Sequence, residues 1–321
     1  MPNIWTHFIF GEHVLFALGE QALIGNPDTR RMFNMGCQGP DFLFYHHYLP
    51  WKKSKAMNQL GSAMHSRHCG KVIMDLLDAA GGRYSAESAP DPAVIYTLGF
   101  VLHHVLDRNM HPYVFSRSGF RKWDHQRFEV IMDTLITRKL LGIETWRTPV
   151  WKEIRIDALP PAVVEAFERV TAGHYPELAP LIQSGDWNRA CRDMIQAQRL
   201  FHDPTGVRRL LTFGQIEPLV YKKEVPALDV MNEQRTPWVD PTNKDIVYDY
   251  SVWMMWDTAL EEGSRIIAAI LDWFRSLNAD DGNTAQLRKE IVHLIGNRSY
   301  ETGLPCDMNA EIRYAEPIWM A

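Results

Sequence analysis

Along most of this chain the apolar residues recur at three- and four-residue spacing, the pattern of amphipathic helices rather than the alternation of strands. Residues 4–23 carry Ile4, Phe8, Val14, Leu15, Leu18 and Leu23 in that pattern, and Asn26-Pro27 ends the run. A short helix is predicted over 29–34, after which two glycines and a proline in GCQGPD demand a loop that holds Asp41. Further helices are predicted over 62–80, stopped by Gly81-Gly82, and from Asp91-Pro92 onward, where Asp91 suits an N-cap and Pro92 the first helical position. Helical patterning continues over 123–141, 162–171, 188–212, 251–277 and 284–295, with proline-bearing joints at 160–161, 176–180 and 226–241. No alternating run, internal repeat or low-complexity segment stands out, so the expected fold is all-α, a compact multi-helix bundle. Residues 1–230 are read as its main helical domain and 231–321 as a helical segment packed on the same domain.

The stretch 99–112, GFVLHHVLDRNMHP, places His103, Asp107 and His111 four residues apart within an apolar run. Neighbours four apart share a helix face, so two imidazoles and a carboxylate line one stripe, as metal ligands would. A plainer reading stays open: a buried helix whose histidines bond backbone groups and whose Asp107 pairs with Arg108. Pro112 disfavours the α conformation at His111, which predicts that the helix ends or kinks there. The same four-residue spacing returns in His125 and Glu129, while His7 stands near the start of the first helix and His65 near the start of the 62–80 helix. Histidine is also concentrated in this region, seven of thirteen falling between 46 and 111. With Asp41 the candidate ligands are His7, Asp41, His65, His103, Asp107, His111, His125 and Glu129, too many for one ion. Imidazole and carboxylate suit zinc, and similar donors accept iron or manganese.

Composition narrows the partners. A chain of 321 residues, 46% of them apolar and 11% aromatic, can fill a large core. A net charge of -5 leaves no cationic excess for the phosphates of duplex nucleic acid, so small or weakly charged substrates fit better. Cys37, Cys69, Cys191 and Cys306 form no CxxC pair and read as reduced, mostly buried thiols. The first residues lack a basic n-region and carry His7, Glu12 and His13, unlike a signal peptide, and no apolar run reaches the about eighteen residues of a spanning helix. A soluble, cytoplasmic protein is expected. His46 and His47, with Phe42, Phe44, Tyr45 and Tyr48, would reach the mouth of a site at Asp41 as an aromatic wall, core packing being the alternative for these rings. His13, His68, His104, His174, His202 and His293 read as surface or hydrogen-bonded core residues.

In order and setting, the eight candidate ligands resemble the zinc-dependent phospholipase C and P1-type nuclease superfamily over roughly residues 4–133. That resemblance implies a compact helical fold around two or three zinc ions. Asp41, His65, His103 and Asp107 would hold one, His111, His125 and Glu129 a second, and Asp107 would bridge to a third shared with His7. The N-terminus departs from the pattern: secreted members begin at a tryptophan whose amine binds metal, whereas Trp5 is internal here and loss of Met1 would leave the amine on Pro2. Residues 232–259, with Trp238, Pro241, Ser251, Trp256 and Ala259, resemble the C-terminal part of cytoplasmic bacterial relatives. The implied activity is phosphodiester hydrolysis by a zinc-bound water, with Asp41 as general base. A phospholipid or other small phosphodiester is the favoured substrate, because the run 42–51 suits an amphiphile and Trp51, Lys52, Lys53 and Lys55 suit a peripheral contact with an anionic membrane. A single-strand nuclease or nucleotidase of the same fold, and a metal-binding protein without turnover, remain as alternatives.

Overall fold

The computed structural model describes residues 3–49, 55–85, 88–277 and 283–319. Within them the helices are α1 (Ile4–Ala17), α2 (Pro27–Gly36), α3 (Ala56–Ser66), α4 (Cys69–Gly81), α5 (Pro92–Ser118), α6 (Asp124–Leu141), α7 (Pro161–His174), α8 (Ser184–Phe201), α9 (Val207–Leu211), α10 (Val252–Ser276) and α11 (Thr284–Ile295). The fold is all-α. Its one antiparallel strand pair among the described residues, β1 (Trp238–Val239) and β2 (Val247–Tyr248), is too short for a two-residue period to announce it.

The axis is α5. Asp91 caps it by accepting the Ala93 N–H at 2.7 Å, and Pro92 fills its first position. Helices α1, α2, α4, α6, α7 and α10 surround it, which explains why its sequence is apolar on all sides rather than amphipathic. The crossing with α2 requires glycine on both helices: a Cβ on Gly36 would lie 2.2 Å from the Tyr96 carbonyl oxygen, and one on Gly99 would lie 2.5 Å from that of Phe33.

Pro112 does not end this helix, which continues to Ser118. The proline offers no N–H to the Arg108 carbonyl. Gly303, at φ +67°, packs so closely there that a Cβ would stand 2.4 Å from the oxygen. Burial and this tertiary contact override the local preference.

The helix expected over 62–80 is instead two, α3 and α4, broken at His68, whose φ is +59°. His65 therefore lies in the last turn of α3, not near a helix start. A strap from the C-terminal part of the chain, residues 296–306, satisfies the groups that the break frees. The Tyr300 N–H and Ser299 Oγ both donate to the His65 carbonyl, at 2.9 and 3.1 Å, and Asn297 Oδ1 accepts the Gly70 N–H at 3.1 Å. Two other expected helices also divide: 4–23 into α1 and a 3-10 turn at Gln21–Ile24, and 188–212 into α8 and α9. Asn26 caps α2 rather than closing the run before it.

Candidate metal centre

Three imidazoles converge on Asp107, which has no solvent exposure. His7 Nε2 stands 3.3 Å from its Oδ1, His103 Nε2 3.1 Å from its Oδ2, and His111 Nδ1 3.8 Å from that same Oδ2. On one flank His65 Nε2 lies 3.0 Å from Asp41 Oδ1, with His103 Nε2 3.9 Å from that oxygen. On the other, Glu129 Oε1 meets His125 Nε2 at 2.6 Å and His111 Nε2 at 3.8 Å. The eight side chains thus fall into three groups, His7 with His103 and Asp107, Asp41 with His65 and His103, and His111 with His125 and Glu129. The prospective donor atoms within each group lie within 4.8 Å of one another. His103 belongs to two groups, and the two oxygens of Asp107 face different neighbours, the disposition a bridging carboxylate needs.

Each histidine is aimed by its backbone. His103 and His111 follow from the four-residue stripe of α5, and His125 and Glu129 from that of α6. Asp41 occupies the first turn of a 3-10 segment, Gly39–Tyr45, rather than an irregular loop. Gly39, at φ +50°, turns the chain against His103 so tightly that a Cβ would meet ring Cδ2 at 2.0 Å. The Nδ1 atoms of His65, His103 and His111 donate to the carbonyl oxygens of Gly61, Cys37 and Tyr300 at 2.7, 3.0 and 2.9 Å. A carbonyl can only accept, so these three rings carry the proton on Nδ1 and, when neutral, present a bare Nε2 lone pair to the cluster.

The arrangement is electrostatically incomplete. Both oxygens of Asp107, both nitrogens of His7, and the Nε2 atoms of His103 and His111 are buried without a hydrogen bond among the described residues. Burial, with repulsion from His103, lowers the His7 pKa to about 4, and burial holds those of His111 and His125 well below the usual range, so these rings favour the neutral form. Burial opposes ionisation of Asp107, but the surrounding imidazoles hold its pKa well below the usual value. His65 is raised: burial opposes its proton, and the hydrogen bond and charge of Asp41 outweigh burial. A buried carboxylate that meets the bare Nε2 of His103 and has no aligned donor on either oxygen costs several kcal/mol unless a cation lies beside it. The donor set therefore fits bound divalent metal.

Asp133, one turn beyond Glu129, joins α6 to the helix that carries His7. It accepts the Thr6 N–H and Thr6 Oγ1–H at 2.6 Å each, the Trp5 N–H at 3.3 Å and the Tyr221 hydroxyl at 2.5 Å. A continuation of the His125–Glu129 stripe would have pointed to it. The Tyr300 carbonyl, by contrast, has no side-chain signature.

Of the expected aromatic wall, Phe42 is core, packed on Phe167, whereas Phe44 is exposed with its ring 5.3 Å from that of His65. His46 is buried and stands 3.3 Å from Asp186. His104 donates to the Arg298 carbonyl at 2.8 Å, as a hydrogen-bonded core histidine. Met1, Pro2, Trp51, Lys52 and Lys53 lie outside the described residues. A cleft of about 290 Å³ on the outer face of α6 shares no residue with the three groups.

A helical shell around buried, interlinked imidazole and carboxylate groups defines the class of α-helical proteins compatible with a multinuclear metal centre. Comparison by sequence narrows the class: the profile of the zinc-dependent phospholipase C family matches residues 6–172, just over half of the chain, and the chain belongs to that family. No curated protein and no solved structure is matched. Membership supports a metal-dependent phosphodiesterase, and no helix among the described residues is long and apolar enough to cross a membrane.

Proposed function

We propose that this protein is a zinc-dependent phosphoric diester hydrolase of cytoplasmic location, acting on a phospholipid or another small phosphodiester. The observation that carries the reading is Asp107, a fully buried carboxylate shared among three imidazoles with no hydrogen-bond donor among the described residues. His7, Asp41, His65, His103, Asp107, His111, His125 and Glu129 would hold two or three ions, zinc being favoured by family and donor type over iron or manganese. When bound, such ions acidify water and neutralise the charge of a phosphodiester. Asp41 takes the proton of the attacking water; it is 7% exposed, at the outer side of the cluster, and His65 fixes its orientation. The backbone carbonyls of Gly61, Cys37 and Tyr300 keep His65, His103 and His111 from rotating.

Two features support a lipid over a nucleic acid. The chain is acidic overall, whereas a single-strand nuclease needs a cationic groove along several phosphates. Phe44 lies exposed beside His65, and Leu210, Leu211 and Phe213 stand 78%, 72% and 93% exposed, apolar surface suited to peripheral contact with a bilayer. Zinc-loaded protein should release a phosphorylated head group from mixed micelles faster than nucleotides from single-stranded DNA, and Asp41→Asn should abolish that release. The reverse ranking, equally lost in Asp41→Asn, would overturn the lipid assignment and leave a nuclease.

A further inference from the structure

We infer that Cys69 and Cys306 form a reversible disulfide, made by exchange with a small-molecule disulfide such as oxidised glutathione, that fastens the 296–306 strap to the start of α4. The two sulfur atoms are hydrogen-bonded at 3.5 Å, although 237 positions separate them in sequence. Both backbones are already held in place. The Cys306 N–H donates to the Asn297 carbonyl at 2.8 Å and the Ser299 N–H to that of Leu304 at 2.9 Å, which close the strap as a loop bridged at Arg298 and Pro305. Gly70, next to Cys69, meets the strap so closely that a Cβ would stand 1.9 Å from the Gly296 carbonyl oxygen. Cys69 is buried, whereas Cys306 is partly open to solvent, so an oxidant reaches one thiol and the other resolves. The neighbouring Cys69 thiol lowers the pKa of Cys306, against the effect of burial, and so favours its thiolate over that of Cys69. Cys37 and Cys191 are both buried, and burial pushes their thiols up.

In the exchange, the Cys306 thiolate attacks one sulfur of glutathione disulfide and expels a glutathione thiolate. Cys69 then attacks the Cys306 sulfur of the mixed disulfide, its proton passes to the departing thiolate, and a second glutathione leaves as thiol. Two protein thiols are oxidised and one glutathione disulfide is reduced to two thiols. The bond matters to the candidate metal centre because the same strap supplies the Tyr300 carbonyl to His111 and the Tyr300 N–H to the His65 carbonyl.

The test is titration of the full chain in glutathione redox buffers, read by intact mass, peptide mapping and amide hydrogen exchange. Oxidation should lower the mass by about 2 Da with a mapped Cys69–Cys306 link and leave Cys37 and Cys191 as thiols. Cross-linking should also slow exchange at Tyr300 by at least about threefold, because the strap then opens less often. Cys306→Ser should prevent the link; Cys69→Ser is the second variant and should stop at the mixed disulfide on Cys306. A wild-type chain that retains both thiols, or that accumulates only the glutathione adduct, would overturn the proposal. Unchanged exchange at Tyr300 in linked protein would overturn its action on the strap.

Discussion

Asp133 offers a perturbation whose size follows from the structure. Its carboxyl is fully buried and accepts four hydrogen bonds, three from the first turn of α1 and one from Tyr221. Burial raises its pKa from the usual 3.8 to about 6, although the bonds from Thr6 and Tyr221 pull the other way. A folded-state value above the unfolded one means that the folded chain holds the proton more tightly. The contribution of this group to stability is therefore complete below about pH 4 and is lost as the pH rises through about 6. A gap of about two units corresponds to about 3 kcal/mol. Asn cannot titrate but keeps one oxygen for the Thr6 donors. The stability of Asp133→Asn relative to wild type should therefore improve by about 3 kcal/mol between about pH 4 and about pH 7. Asp133→Ala, which strands buried donors and uncaps α1, should be about 3–5 kcal/mol less stable than Asp133→Asn at every pH, since neither variant titrates. Urea unfolding of all three proteins in chelator, at a series of pH values, measures both effects with metal binding removed from the comparison. A difference between wild type and Asn that stays flat across this range would rule out the raised pKa of Asp133, and an Ala variant no weaker than Asn would rule out its support of α1.

The remaining perturbations act on the candidate metal centre. Gly39→Ala would place a Cβ 2.0 Å from the His103 ring at a backbone φ of +50°, so bound zinc should fall by at least about one equivalent per chain while helicity by circular dichroism is retained. Full metal occupancy in that variant would show that His103 does not need this close contact. Asp107→Ala should lose more than one ion if the carboxylate bridges, and elemental analysis showing the loss of only one would show that it does not. Chelation should lower the melting temperature by several degrees, about 1–3 kcal/mol, with zinc restoring it. An unchanged transition after verified removal would make the stripe ordinary core.

How much of this was legible depends on the range over which each interaction acts. His103, Asp107 and His111 are readable because one helix sets their relation, and a four-residue interval fixes a common face whatever surrounds it. His125 and Glu129 follow the same rule, and extending it by one more turn reaches Asp133. The meeting of Asp41 with His65, 24 positions away, has no local sign, and only the order of the eight residues in a known family suggested it. The strap was hidden for a different reason. Its bonds to His65, His104 and His111 run largely through backbone groups of Arg298 and Tyr300, which every residue type but proline would supply. The strap also accounts for two of the departures from the expected helices, since His68 breaks the helix where the strap takes over its carbonyl bonds and Gly303 lies against the Arg108 carbonyl, to which Pro112 can donate no N–H.

A metal centre at Asp107 and its imidazoles, rather than a polar core, is what the proposed function requires. It is tested most directly by elemental analysis of protein purified without chelator and then reconstituted with zinc. At least about two equivalents of divalent metal per chain are expected, since eight donors in three linked groups exceed what one tetrahedral site can use. Less than one equivalent after reconstitution of folded protein would contradict it.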